Sequence, residues 1–124
     1  MFTFVPQYES LNEVLMDQKL ASLGDAYVNF LYSLALSKKK GEATGIKVKG
    51  RLLADAFKRA ELRKFLPSRI DRHKMADAAE ALIVYAWIRG SMTMEEGLEI
   101  LEQNGDEAEV LSLLLLTAKK KVEF

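Results

Sequence analysis

The stretch "ASLGDAYVNFLYSLALS" (21–37) is apolar along nearly all its length, yet Asp25 stands in it directly behind Gly24. A second apolar stretch, "MADAAEALIVYAWIRG" (75–90), carries Asp77 and Glu80. An isolated ionised carboxylate is costly to bury unless it is paired or holds a cation. Both stretches therefore put acids where a core needs none.

At the helical step of about 100° per residue, a helix over 18–37 presents two apolar stripes. One is Leu20, Leu23, Tyr27, Leu31 and Leu34; the other is Ala21, Val28, Tyr32 and Leu36, with Asp25 along it. Such a helix is buried on most sides, or sets one side against a partner subunit. No basic residue lies three or four positions from Asp25. In a helix over 70–89, Asp77 and Glu80 share a face, which Ala81, Val84 and Ile88 continue. For Asp77 a plain surface ion pair with His73 or Lys74 is the alternative. Three hard oxygen donors converging from two helices suit Mg²⁺, which takes few carboxylates and keeps several waters. Such an ion, with Mn²⁺ as a substitute, activates water and stabilises an in-line phosphoryl displacement.

Around these two helices the pattern predicts others near 8–16 and 49–60, with a shorter piece at 61–66 stopped by Pro67. Gly90 ends the helix over 70–89. Ser91 or Thr93 caps the next, whose first turn holds Glu95 and Glu96. "QNGD" (103–106) closes it, and "VLSLLLLTAKKK" forms the last helix, its lysines suited to a C-terminus. "SKKKGEATGIKV" is broken by Gly41 and Gly45 and reads as a flexible loop. With two prolines and no alternating strand pattern, the expectation is one all-α domain over 1–124, a helical bundle.

The chain has no cysteine, which removes disulfides, thiolate zinc sites and a cysteine nucleophile and fits a cytoplasmic protein. No basic segment precedes the N-terminal apolar residues, and the uncharged run Ala26–Ser37 falls short of the roughly 20 residues of a membrane span. A soluble protein without membrane association is expected. His73 is the only histidine, so Glu-x-x-His pairs and a two-histidine facial triad are excluded within one chain. It is either a fourth ligand or acid–base group near the metal, or an exposed helix residue. No nucleophile elbow is present, and "GEATGIKVKG" has the wrong spacing for a P-loop.

Charge is balanced overall but segregated. From Lys38 to Lys74, thirteen Lys or Arg stand against four Asp or Glu, whereas Gly90 to Ala118 has no basic residue. A basic middle is a polyanion footprint or a solvated mixed surface. Lys38, Lys39 and Lys40 are candidate phosphate contacts in the loop, with Arg69, Arg72 and Lys74 close to the proposed metal. The tyrosines and Trp87 are core or dimer contacts before they are base-stacking groups. The "LLLL" block (113–116) belongs to central core or to an oligomer surface.

"LGDAYVNF" (23–30) resembles the signature of the ribonuclease III catalytic domain, and "ADAAEAL" (76–82) resembles that family's second motif. The two occur in order, at suitable spacing, across roughly residues 18–90. The resemblance implies a ribonuclease III-like helical fold and a homodimer built partly around the signature helix. It also implies a Mg²⁺-dependent endoribonuclease acting on double-stranded or structured RNA, with Asp25, Asp77 and Glu80 as metal-ligating catalytic acids. The chain looks most like the short, single-domain Mini-III branch, since no double-stranded-RNA-binding domain follows. Ala21 and Gln18 occupy positions where the family usually has acids, although Mini-III enzymes also carry a small residue at the first. Val84, Tyr85 and Arg89 depart from the second motif. Loss of cleavage with retention of an RNA-binding or scaffold role is the alternative, and a helical dimerisation module without nucleic acid is a third reading.

Overall fold

A computed structural model describes residues 2–124; Met1, the first residue of the expected single domain, lies outside the described residues. Six helices make up the fold: α1 (Leu11–Leu15), α2 (Gln18–Lys40), α3 (Gly50–Arg59), α4 (Arg72–Ile88), α5 (Met94–Leu101) and α6 (Glu107–Lys121). A single 3-10 turn, Arg63–Phe65, follows α3. The described residues contain no strand, and the all-α expectation is met.

Helix α4 is the axis of the bundle. Twelve of its seventeen residues are buried, on every side of the helix, because α1, α2, α3 and α6 surround it. Its run of alanines favours helix and lets neighbours approach closely. Leu82, Ile83 and Ile88 fill the spaces between, each at most 1% exposed. The largest contact of α4 is with α2, and the two acid-bearing helices therefore lie against each other.

Local chemistry fixes where the helices begin and end. Asp17 caps α2 by accepting from the Lys19 and Leu20 amides, and Asp71 caps α4 through the Lys74 amide. Ser10 and Thr93 form reciprocal capping boxes with Glu13 and Glu96, so Thr93 rather than Ser91 starts α5. Helix α2 runs through Lys40 and stops at Gly41, whose φ of 75° is the left-handed conformation that glycine adopts without strain. Lys38, Lys39 and Lys40 thus form the last turn of α2 and are not part of the following loop.

The apolar stripes of α2 are only partly buried, with Tyr32, Leu34 and Leu36 half-exposed. Leu31 of the first stripe and Val28 of the second are fully enclosed, whereas Leu23 and Phe30 are 40% and 54% exposed on the outer face of α2. In α6 the "LLLL" block splits: Leu114 and Leu115 are core, and Leu113 and Leu116 face outward. Met92 is wholly buried, and Trp87 stacks on Tyr27 with ring centroids 5.1 Å apart.

Candidate active site

Glu80 and Ser112 are the only buried polar residues recorded among the described residues. Glu80 is buried because α2 and α4 touch backbone to backbone beside it, at Gly24. One residue further along α2, the Asp25 carboxylate comes close enough to the Glu80 carboxyl for each to shift the other's titration.

The two acids respond in opposite directions. Burial, followed by the Asp25 carboxylate and then Asp77, pushes the Glu80 carboxyl up to about 8. The neighbouring Glu80 carboxyl is the main influence holding Asp25 below the usual carboxylate range, assisted by Lys47 and Asn29. Burial and the neighbouring carboxylates thus favour the protonated form of Glu80, while Asp25 is held toward the ionised form. Lys47 Nζ lies 3.6 Å from Asp25 Oδ2, and Asn29 Nδ2 donates to Asp25 Oδ1 at 3.2 Å.

Asp77 lines the same cavity of about 370 Å³ as Asp25, Glu80, Gln18, Ala21, Lys47 and His73. Its carboxylate is engaged from the side. With the carboxamide turned to suit the donors and acceptors around it, Gln18 donates to Asp77 Oδ2 at 3.2 Å and accepts from Lys74 Nζ at 3.0 Å. Asp25 and Glu80 come together, while Asp77 stands three residues before Glu80 on α4 and lines the same cavity. Among the described residues, no three His, Asp or Glu side chains stand close enough to form a metal cage. The donors nonetheless fit a magnesium ion, which needs only one or two carboxylates and keeps its waters. Ala21, one turn before Asp25 and facing the same cavity, brings no carboxylate.

The basic residues nominated from sequence divide. Lys74 and Arg72 lie in the first turn of α4 beside the acids, and both are exposed. Arg69 is exposed in the preceding loop at a φ of 62°. His73 is exposed on the cavity rim. Lys38 to Lys40 lie about 20 Å along the α2 axis from Asp25, at 1.5 Å per residue, and Lys38 pairs with Glu102 at 3.1 Å.

Two residues at the acid pair went unnominated. Asn29 sits one helical turn after Asp25 within "LGDAYVNF", where an i to i+4 hydrogen bond is available. Lys47 belongs to "GIKVKG" (45–50), whose alternation sets Lys47 and Lys49 opposite Ile46 and Val48.

A six-helix domain whose central helix pair brings two acids together across a glycine is the class that fold and site define. A model of the Ribonuclease III family matches residues 18–122, from the first residue of α2 to just past α6. The chain belongs to the ribonuclease III family, and that membership supports a ribonuclease-like function on RNA. No curated protein matches the chain in sequence. Among the described residues, no helix is long and apolar enough to cross a membrane.

Proposed function

We propose that this chain is a Mg²⁺-dependent endoribonuclease that hydrolyses phosphodiester bonds in double-stranded or structured RNA, working as a homodimer in the cytoplasm. Asp25, Asp77 and Glu80 are its catalytic acids, and Mn²⁺ substitutes for Mg²⁺.

The single observation that carries this reading is the crowding of Asp25 against buried Glu80 in an open cavity, with Asp77 on the same wall. Asp25 and Glu80 would hold the Mg²⁺ ion, which would supply charge against the phosphate and make a bound water more acidic. Asp77, three residues before Glu80 on α4, lines the same cavity and orients water by hydrogen bonding. Because Ala21 and Gln18 replace acids of the family pattern, the site relies on fewer carboxylates and retains more metal-bound water, so its affinity for the ion is lower. The exposed Leu23 and Phe30 on α2 support a second copy packed against that helix. Duplex RNA is recognised by shape and by phosphate and 2′-hydroxyl contacts. Because the contacts are to backbone phosphates, binding weakens steeply with salt.

The test is incubation of labelled duplex RNA with Mg²⁺ or Mn²⁺, comparing wild type with Asp25→Asn and Asp77→Asn. Cleavage by wild type and its loss in both variants is the expected result. Salt-sensitive binding without cleavage in either metal makes the protein a scaffold instead, and no binding at low salt leaves a dimerisation module.

A further inference from the structure

We infer that Lys47 meets a backbone phosphate of the RNA beside the acid pair, and that Asn29, Ser33 and Ser37 are positioning residues that hold it there. This rests on the endoribonuclease reading and deepens it.

The segment after Gly41 has no regular secondary structure, yet it is laced to α2. The Ser37 hydroxyl accepts from the Thr44 amide at 2.8 Å. The Ser33 hydroxyl accepts from the Ile46 amide at 2.9 Å and donates to the Ile46 carbonyl at 3.1 Å. Asn29 Oδ1 accepts from the Val48 amide at 2.7 Å. Helix positions 37, 33 and 29 thus pair with strap positions 44, 46 and 48. The match is geometric: four helical residues advance about 6 Å, and two extended residues advance about 6.6 Å. Every second strap amide finds a side chain from every fourth helix residue. Lys47 lies between the last two of these rungs, and its side chain brings the ammonium to 3.6 Å from the Asp25 carboxylate one turn further down the helix.

Asn29 joins the two ends of the arrangement, since its amide nitrogen donates to Asp25 while its oxygen fixes the strap. Lys47 makes the only salt bridge to any of the three acids among the described residues. Its side chain is 76% exposed, so the pairing is weak and the ammonium remains open to an incoming anion. A phosphate approaching Asp25 and Glu80 meets like charge, and a cation at the rim offsets it. Lys47 and Val48 also line a second cavity of about 610 Å³, where Lys49 and Arg51 stand beside Asp55 and Glu107. The lysines at the end of α2 lie too far away to serve that place.

The experiment measures kcat/KM for duplex RNA against salt concentration for wild type, Lys47→Ala, Lys47→Arg and Asn29→Ala. Lys58→Ala, an exposed change on α3, is the control. For Lys47→Ala the slope of log kcat/KM on log salt becomes shallower by about one, the signature of one lost phosphate contact. KM rises at least tenfold while the melting temperature holds. Lys47→Arg restores the slope. Asn29→Ala reproduces the loss, and adding Lys47→Ala to it takes away little more. If wild type cuts RNA and Lys47→Ala keeps the wild-type slope, the inference is overturned and the endoribonuclease reading stands. If wild type neither binds nor cuts RNA, both fall together.

Discussion

Gly24 of α2 faces the backbone carbonyl of Glu80 in α4 with no room for a side chain between them: a Cβ on Gly24 would stand 2.2 Å from that oxygen. This contact brings the two acid-bearing helices together, and it explains why glycine precedes Asp25. The prediction is that Gly24→Ala forces the helices apart, because the obstacle is backbone and cannot swing away. Overpacking of this kind costs about 3 kcal/mol or more. Urea denaturation measures it. A loss under about 1 kcal/mol, the scale of a surface change, would contradict the account.

Glu80 makes metal-free stability depend on pH. Its folded pKa of about 8 lies above the ordinary 4.5, so between those values the folded chain holds a proton that the unfolded chain has released. Stability without metal therefore falls as pH rises through that window. Melting curves in a chelator, taken across the window, should decline for wild type and lie flatter for Glu80→Gln. Added Mg²⁺ should recover most of the loss at the alkaline end.

Ala21 offers the converse test. Ala21→Glu places a third carboxylate one turn from Asp25 and inside the same cavity. Manganese titrations should show tighter binding in this variant. The metal-free protein should melt at a lower temperature than wild type, because another like charge joins the pair.

A capping substitution separates stability from chemistry. Thr93→Ala removes the side chain that accepts from the Glu96 amide at 3.1 Å at the start of α5. About 1 kcal/mol of stability should be lost, with RNA cleavage at low temperature unchanged. A large drop in activity would place α5 in the catalytic apparatus.

The fold was legible because helix signals here are local. Periodicity, the cap at Thr93 and glycines at 41 and 90 mark the helices to within a few residues; the structure adds the caps Asp17 and Asp71 and corrects mainly the end of α2. Asp25 and Glu80 were legible as acids on apolar faces. Their direct contact was not, because it depends on Gly24 meeting a carbonyl 56 positions away. The strap was misjudged for a related reason. Two glycines suggested a flexible loop, whereas Asn29, Ser33 and Ser37 supply from the helix the hydrogen bonds that the segment lacks on its own. Lys47 consequently escaped notice, while Lys38 to Lys40 drew it by being clustered. Sequence shows charge density more readily than it shows distance. Leu23, counted as an apolar stripe member, is exposed because α2 turns that edge away from α4.

The central claim is that Asp25 and Glu80 hold one divalent cation between them. Crystals soaked in manganese and measured at its absorption edge test it most directly. The account predicts an anomalous peak bonded to oxygens of both carboxylates, missing in crystals of Asp25→Asn. A cation bound elsewhere, with no peak at the Asp25 and Glu80 carboxyls at saturating manganese, would contradict it.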